Sequence, residues 1–166
     1  MTYDAIDVAK YVEYYSVKKT GYGVSKLKLL SLLYFIQAYA LIEKDEPMFF
    51  NDIEAWECGP IVPEVFRCSK FLWSGIVHEN YYKDVDSITY GDKELIDAVF
   101  DEFQNYSITE MVELSMNQAP WRNTLKNKAI SLDSIKEYFT DDTPVDVFLT
   151  GNGEFVIKTV NSKGGR

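Results

Sequence analysis

The side chains best suited to nucleophilic or metal chemistry in this 166-residue sequence are Cys58, Cys68 and a single imidazole, His78. A thiolate nucleophile needs an imidazole base and a third group that orients the base. Here one His would have to serve either Cys, and no residue at a recognisable spacing supplies the third group. The two cysteines stand ten residues apart without a CxxC, so a four-ligand zinc site would have to be completed by carboxylates. Acidic pairs occur at Asp84/Asp86, Asp101/Glu102 and Asp141/Asp142. Neighbours of this kind belong to solvated faces, whereas glycoside hydrolysis needs two carboxyls converging in a cleft. GxGxxG, GxxxxGK[ST], HExxH and GxSxG are all missing, and "GYG" at 21–23 has no strand before it. The expectation is a non-enzyme with no catalytic residues, no cofactor and no metal, whose two thiols stay reduced.

Recognition is the chemistry that remains. The chain holds 12 Tyr, 10 Phe and 3 Trp, residue types that serve cores and protein interfaces alike. Trp56, Trp73 and Trp121 are the natural hot-spot candidates. Seventeen basic against 26 acidic side chains leave a net charge of −9. That field repels phosphate backbones, so direct nucleic-acid binding is not expected, and it favours a basic protein partner.

The elements that must position these residues are mostly helical. Ile6, Ala9, Val12 (or Glu13) and Val17 recur at three-to-four spacing between a capping Asp4 and the cations Lys18 and Lys19, predicting a first helix broken by "TGYG". Ser25 would cap a second helix, apolar on nearly every face from Leu29 to Ile36 and therefore enclosed by others. Its apolar run is shorter than the ~20 residues that cross a bilayer and contains Gln37, and the N-terminus is not a signal peptide, so no membrane role is expected and the location is cytoplasmic. "NDIEAW" reads as a short strand with Ile53 and Ala55 on one side and Glu54 and Trp56 on the other, followed by an "ECGP" turn. Pro63 then opens a helix, "PEVFRCSKFLW", with Glu64 in its first turn. Ser74 to Tyr90 reads as loop with a possible strand in "SITY". Helices follow over Asp92–Phe103, from Ser107 with Glu110 in a capping box, through a single turn at Pro120, and over Ile130–Phe139. "PVDVFLT" and "EFVIKTV" flank "GNG" as a hairpin signal. The expected architecture is mainly α: one compact domain of about six helices over 1–140, with a short strand before the Gly-Pro turn. A C-terminal β-hairpin and frayed tail would occupy 141–166.

Four segments in order, "LKLLSLLYFIQAYAL", "IEAWECGPIVPEVF", "ELSMNQAPWRNTL" and "ISLDSIKEYF", resemble the Panacea domain, the SocA-like antitoxin family found in prophages and beside toxin genes. The likeness covers Tyr3 to Phe139, and "EAW-x-x-GP-x-VPEV" is its most specific part. The family's characteristic positions fall on Leu27, Leu33, Tyr34, Gln37, Glu54, Trp56, Gly59, Pro60, Val62, Pro63, Pro120 and Trp121. Two positions depart from the pattern: Cys58 replaces an aromatic and Met116 a histidine. The resemblance implies an antitoxin that neutralises a cognate toxin by direct protein contact. Its alternatives are an adaptor delivering a toxin to an AAA+ protease, or a phage-encoded inhibitor of a host defence protein. Expected partner-binding residues are Tyr34, Gln37, Glu54, Trp56, Gly59, Pro60, Pro63, Glu64 and Trp121, joined by the hairpin from Val145 to Val160.

Overall fold

The computed structural model describes residues 1–68 and 85–140, and the backbone of two strand segments at 145–149 and 155–159. Helix α1 (Ala5–Thr20) begins where Asp4 accepts the Ile6 amide at 2.8 Å, satisfying one of the unpaired N–H groups of a helix start. It ends at Gly21, whose φ of +81° suits a residue without Cβ. Its buried set is Ala5, Val8, Ala9, Tyr11, Val12 and Ser16. Ile6 and Val17, expected on the inner face, are only half-buried. Ala9 and Val12 are buried as expected, and Ala5, Val8, Tyr11 and Ser16 join them because α1 is covered by several neighbours and not by α2 alone.

Helix α2 (Lys26–Glu43) is the centre of the domain, and every residue from Leu29 to Leu41 is buried. A helix apolar all round can exist only when enclosed, as its sequence predicted. Ser25 precedes it in extended geometry, but the hydroxyl makes no capping bond. Phe35 stacks on Phe103 at 4.3 Å between centroids and meets Phe139 edge-on at 6.5 Å. These rings lock α2 to α4 (Tyr90–Phe103) and α7 (Leu132–Thr140).

Beyond α2 the chain enters a small antiparallel sheet, β1 (Glu54–Trp56) and β2 (Gly59–Ile61), with Ala55 opposite Pro60. The expected turn at "ECGP" is therefore tighter than supposed, and Gly59 already belongs to a strand. Its φ of +110° permits a reversal over Glu57 and Cys58 alone. The other edge of β1 is closed by residues 127–130. The Ala55 amide donates to the Lys128 carbonyl at 2.9 Å, and the Asn127 and Ile130 amides donate to Ala55 and Ile53, each at 2.7 Å. No edge of β1 is left to pair with another chain.

Helix α3 (Pro63–Arg67) starts on a proline but is shorter than the expected Pro63–Trp73, since Cys68 already leaves helical geometry with ψ of 66°; residues 69–84, with Trp73 and His78, lie outside the described residues. The strand expected in "SITY" is overturned. Thr89 is extended because it caps α4, its hydroxyl accepting the Asp92 amide at 3.4 Å. A β-branched cap imitates strand composition locally. Helix α5 (Ile108–Met116) opens with the predicted capping box, whose two bonds measure 3.1 and 2.7 Å. The single turn α6 (Ala119–Arg122) follows, and Ser131 caps α7 by accepting the Ser134 amide at 3.1 Å.

The chain is thus mainly helical, with seven helices and a two-stranded antiparallel sheet among the described residues. The expected C-terminal hairpin falls largely outside them. Only the backbone of β3 (Val145–Leu149) and β4 (Phe155–Thr159) is described, in an antiparallel pairing. Among the described residues no helix is long and apolar enough to cross a membrane.

Candidate protein-binding site

Alternation along β1 sends Ile53 and Ala55 into the core and leaves Glu54 and Trp56 half-buried on the outer face. The Trp56 indole N–H donates to Glu54 Oε2 at 2.7 Å, so this buried-edge donor is already satisfied. Its ring meets Phe66 of α3 edge-on at 5.0 Å, and the Lys26 ammonium sits 3.9 Å from the centroid of Phe66. Around these rings Glu57, Glu64 and Arg67 are exposed. Glu57 is bonded to Lys126, whose ammonium holds that carboxyl below the usual carboxylate range. The corner is therefore an aromatic surface with carboxylates at its rim.

A chain of hydrogen bonds ties this corner to α2. The Trp121 indole N–H donates to the Trp56 carbonyl at 3.0 Å. Three residues earlier, Gln118 occupies the cap position of α6 and accepts the Tyr34 hydroxyl through Oε1 at 2.8 Å. Burial pushes the Tyr34 phenol far above its ordinary range, so it is a permanent donor. One turn further along α2, Gln37 Nε2 donates to the Phe49 carbonyl at 2.8 Å. Its Oε1 accepts the amides of Met48 at 2.8 Å and Phe49 at 3.1 Å. Tyr34 and Gln37 share a face of the helix and grip the two loops that flank the corner.

The nine expected contact residues therefore divide. Glu64 is exposed, and Glu54, Trp56 and Trp121 are half-buried at the surface. Tyr34 and Gln37 have no accessible surface at all, so direct contact with a partner is corrected to positioning from beneath. Gly59, Pro60 and Pro63 are also buried. They shape the corner without presenting it: a Cβ on Gly59 would lie 3.4 Å from Ser115 Oγ, in addition to requiring positive φ. Phe66, Glu57 and Gln118 were not among the expected residues. Only Gln118 carried a sequence signal, a polar residue in the cap position just before "APW". Cys58 and Cys68 are free thiols, each half-buried.

Tyr34→Phe removes the hydroxyl and leaves buried Gln118 without that donor. It is expected to destabilise the domain by about 1–3 kcal/mol, read as a lowered midpoint in urea unfolding. An unchanged midpoint would show that α6 is held by other contacts.

A family model described as "Antitoxin SocA-like, Panacea domain" matches residues 29–122, more than half of the chain and all of the corner. Antitoxin SocA of Caulobacter vibrioides (strain NA1000 / CB15N) is 42% identical over 45 residues, covering 27% of this chain. That match spans 24% of the length of the Caulobacter protein. No solved structure matches the chain.

Proposed function

This chain belongs to the SocA-like Panacea antitoxin family, and from that premise we propose that it neutralises a cognate protein toxin by direct, non-covalent contact at the strand-to-helix corner. One observation carries the choice of surface: the corner is organised before any partner arrives. Both indole donors are spent inside the domain, on Glu54 and on the Trp56 carbonyl. Trp56 and Phe66 are held by packing, so a partner covering them immobilises few rotamers and strands no donors. These are the costs that ordinarily reduce affinity. Aromatic residues clamped in this way are the common anchors of protein interfaces.

The rim supplies direction. Glu54, Glu57 and Glu64 surround the rings in a chain of net charge −9, a field that accelerates encounter with a basic toxin and disfavours acidic competitors. In this reading neither bond-making chemistry nor a cofactor is needed, and both proteins meet in the cytoplasm. In this reading the C-terminal hairpin, Val145 to Val160, adds to the toxin-facing surface.

The test is co-expression with the product of the adjacent gene. That product alone should arrest growth, and this chain should restore it. A harmless neighbour, or one still toxic beside this chain, rejects the reading. Glu64→Lys then addresses the surface. Glu64 is exposed, so the substitution should leave the unfolding midpoint within about 0.5 kcal/mol of the parent while weakening neutralisation at least tenfold in expression titration. Full neutralisation by Glu64→Lys would remove that residue from the interface.

A further inference from the structure

We propose that a second copy of this chain docks on the groove between α6 and α7, forming a two-fold symmetric dimer on a surface that adjoins the corner. Pro120, Ala129 and Tyr138 give the groove an apolar lining. Leu125 stands at its rim with 78% of its surface exposed, among the most exposed large aliphatic side chains described. A projecting leucine beside an apolar hollow is a knob next to a hole. A two-fold axis brings each knob to the other copy's hole, which is how an isologous interface closes.

The charges obey the same symmetry. Lys128 and Glu137 both line the groove, one from the connector and one from α7. Neither forms an ion pair among the described residues. Under the same two-fold, Lys128 of one copy faces Glu137 of the other, and the reciprocal pair forms with it.

The wider field points to this face as well. At a net charge of −9 two copies repel over most of their surface. Residues 119–138 instead carry Arg122, Lys126, Lys128 and Lys136 against Asp133 and Glu137. Lys126 and Lys136 bind Glu57 and Asp45 from outside the segment. Four cations against those four carboxylates leave the region near neutral, so copies meet little repulsion here.

Sedimentation equilibrium on the full chain between about 1 and 200 μM tests the proposal, the range in which a small one-anchor interface dissociates. The weight-average mass is expected to climb from 19.1 kDa toward twice that value. Leu125→Glu should hold it at the monomer mass throughout, with an unchanged far-UV circular dichroism spectrum and melting midpoint. Lys128→Glu should weaken association at least tenfold, and adding Glu137→Lys should restore it. A parent chain monomeric at every concentration overturns the proposal, as does a dimer indifferent to Leu125→Glu. A swap that fails to restore association overturns the two-fold register. A monomeric parent whose Leu125→Glu variant no longer neutralises the toxin assigns the groove to the toxin and overturns the dimer.

Discussion

Gln37→Leu is expected to cost about 3–5 kcal/mol of folding stability, a large share of the 5–15 kcal/mol typical of a domain. The side chains are similar in volume, so the effect does not come from a cavity. It comes from three buried backbone groups, the amides of Met48 and Phe49 and the carbonyl of Phe49, which the Gln37 amide satisfies. Each such group stranded without water or partner costs about 1–3 kcal/mol, and the extra apolar burial of leucine returns about 1–2 kcal/mol of the total. The measurement is a urea titration followed by Trp fluorescence, with the midpoint falling and the slope preserved. The gripped loop leads directly into β1, so neutralisation should fail at elevated temperature before the isolated fold melts. A loss below about 1 kcal/mol would mean that the loop finds other partners when the amide is removed.

The second large effect centres on Asp92, a nearly buried carboxylate that joins three parts of the chain. It accepts the Tyr3 hydroxyl at 2.6 Å and the Thr89 hydroxyl at 2.9 Å, and is bonded to Lys44 just beyond the end of α2. Burial alone would raise this carboxyl. The bonds from Lys44, Tyr3 and Thr89 outweigh it and hold the group below its ordinary value. Asp92→Asn keeps the shape but leaves Lys44 without its counter-charge. The expected cost at pH 7 is about 2–3 kcal/mol, reduced from the figure for a fully buried pair because Lys44 is partly exposed.

The pH dependence has a definite sign. A carboxyl depressed in the folded state contributes its full stabilisation above the unfolded value of about 3.9 and loses it as pH falls toward the folded value. The gap between parent and Asp92→Asn should therefore be constant from pH 7 down to about pH 5 and close below about pH 4. Chemical denaturation at a series of pH values reads this directly. A gap that persists undiminished at pH 2 would show that the charge on Asp92 contributes nothing and that only the geometry of its hydrogen bonds matters.

Much of the frame was legible because its causes are local. A cap acts on an amide two or three residues away, and an amphipathic face repeats within a turn. Hence Asp4, the Ser107–Glu110 box, the helix ending at Phe103 and the all-apolar α2 could be read directly. The errors were local ambiguities settled by distant partners. "SITY" has strand composition, yet Thr89 caps a helix whose third residue, Asp92, is anchored by Tyr3 and Lys44. "ECGP" has turn composition, yet Gly59 pairs with Trp56 because its positive φ allows so tight a reversal.

By itself the sequence determined the mainly helical class, the enclosed central helix, the corner at residues 53–66 and the family to which they point. Tertiary structure alone decided which of the corner's characteristic residues face outward. Tyr34 meets Gln118 across 84 positions and Trp121 meets Trp56 across 65, and no periodicity along the chain encodes such encounters. A polar side chain looks the same in sequence whether it greets a partner or satisfies a buried backbone group. The difference is set by what the folded chain has brought alongside it, where an unmatched donor or acceptor is too costly to leave.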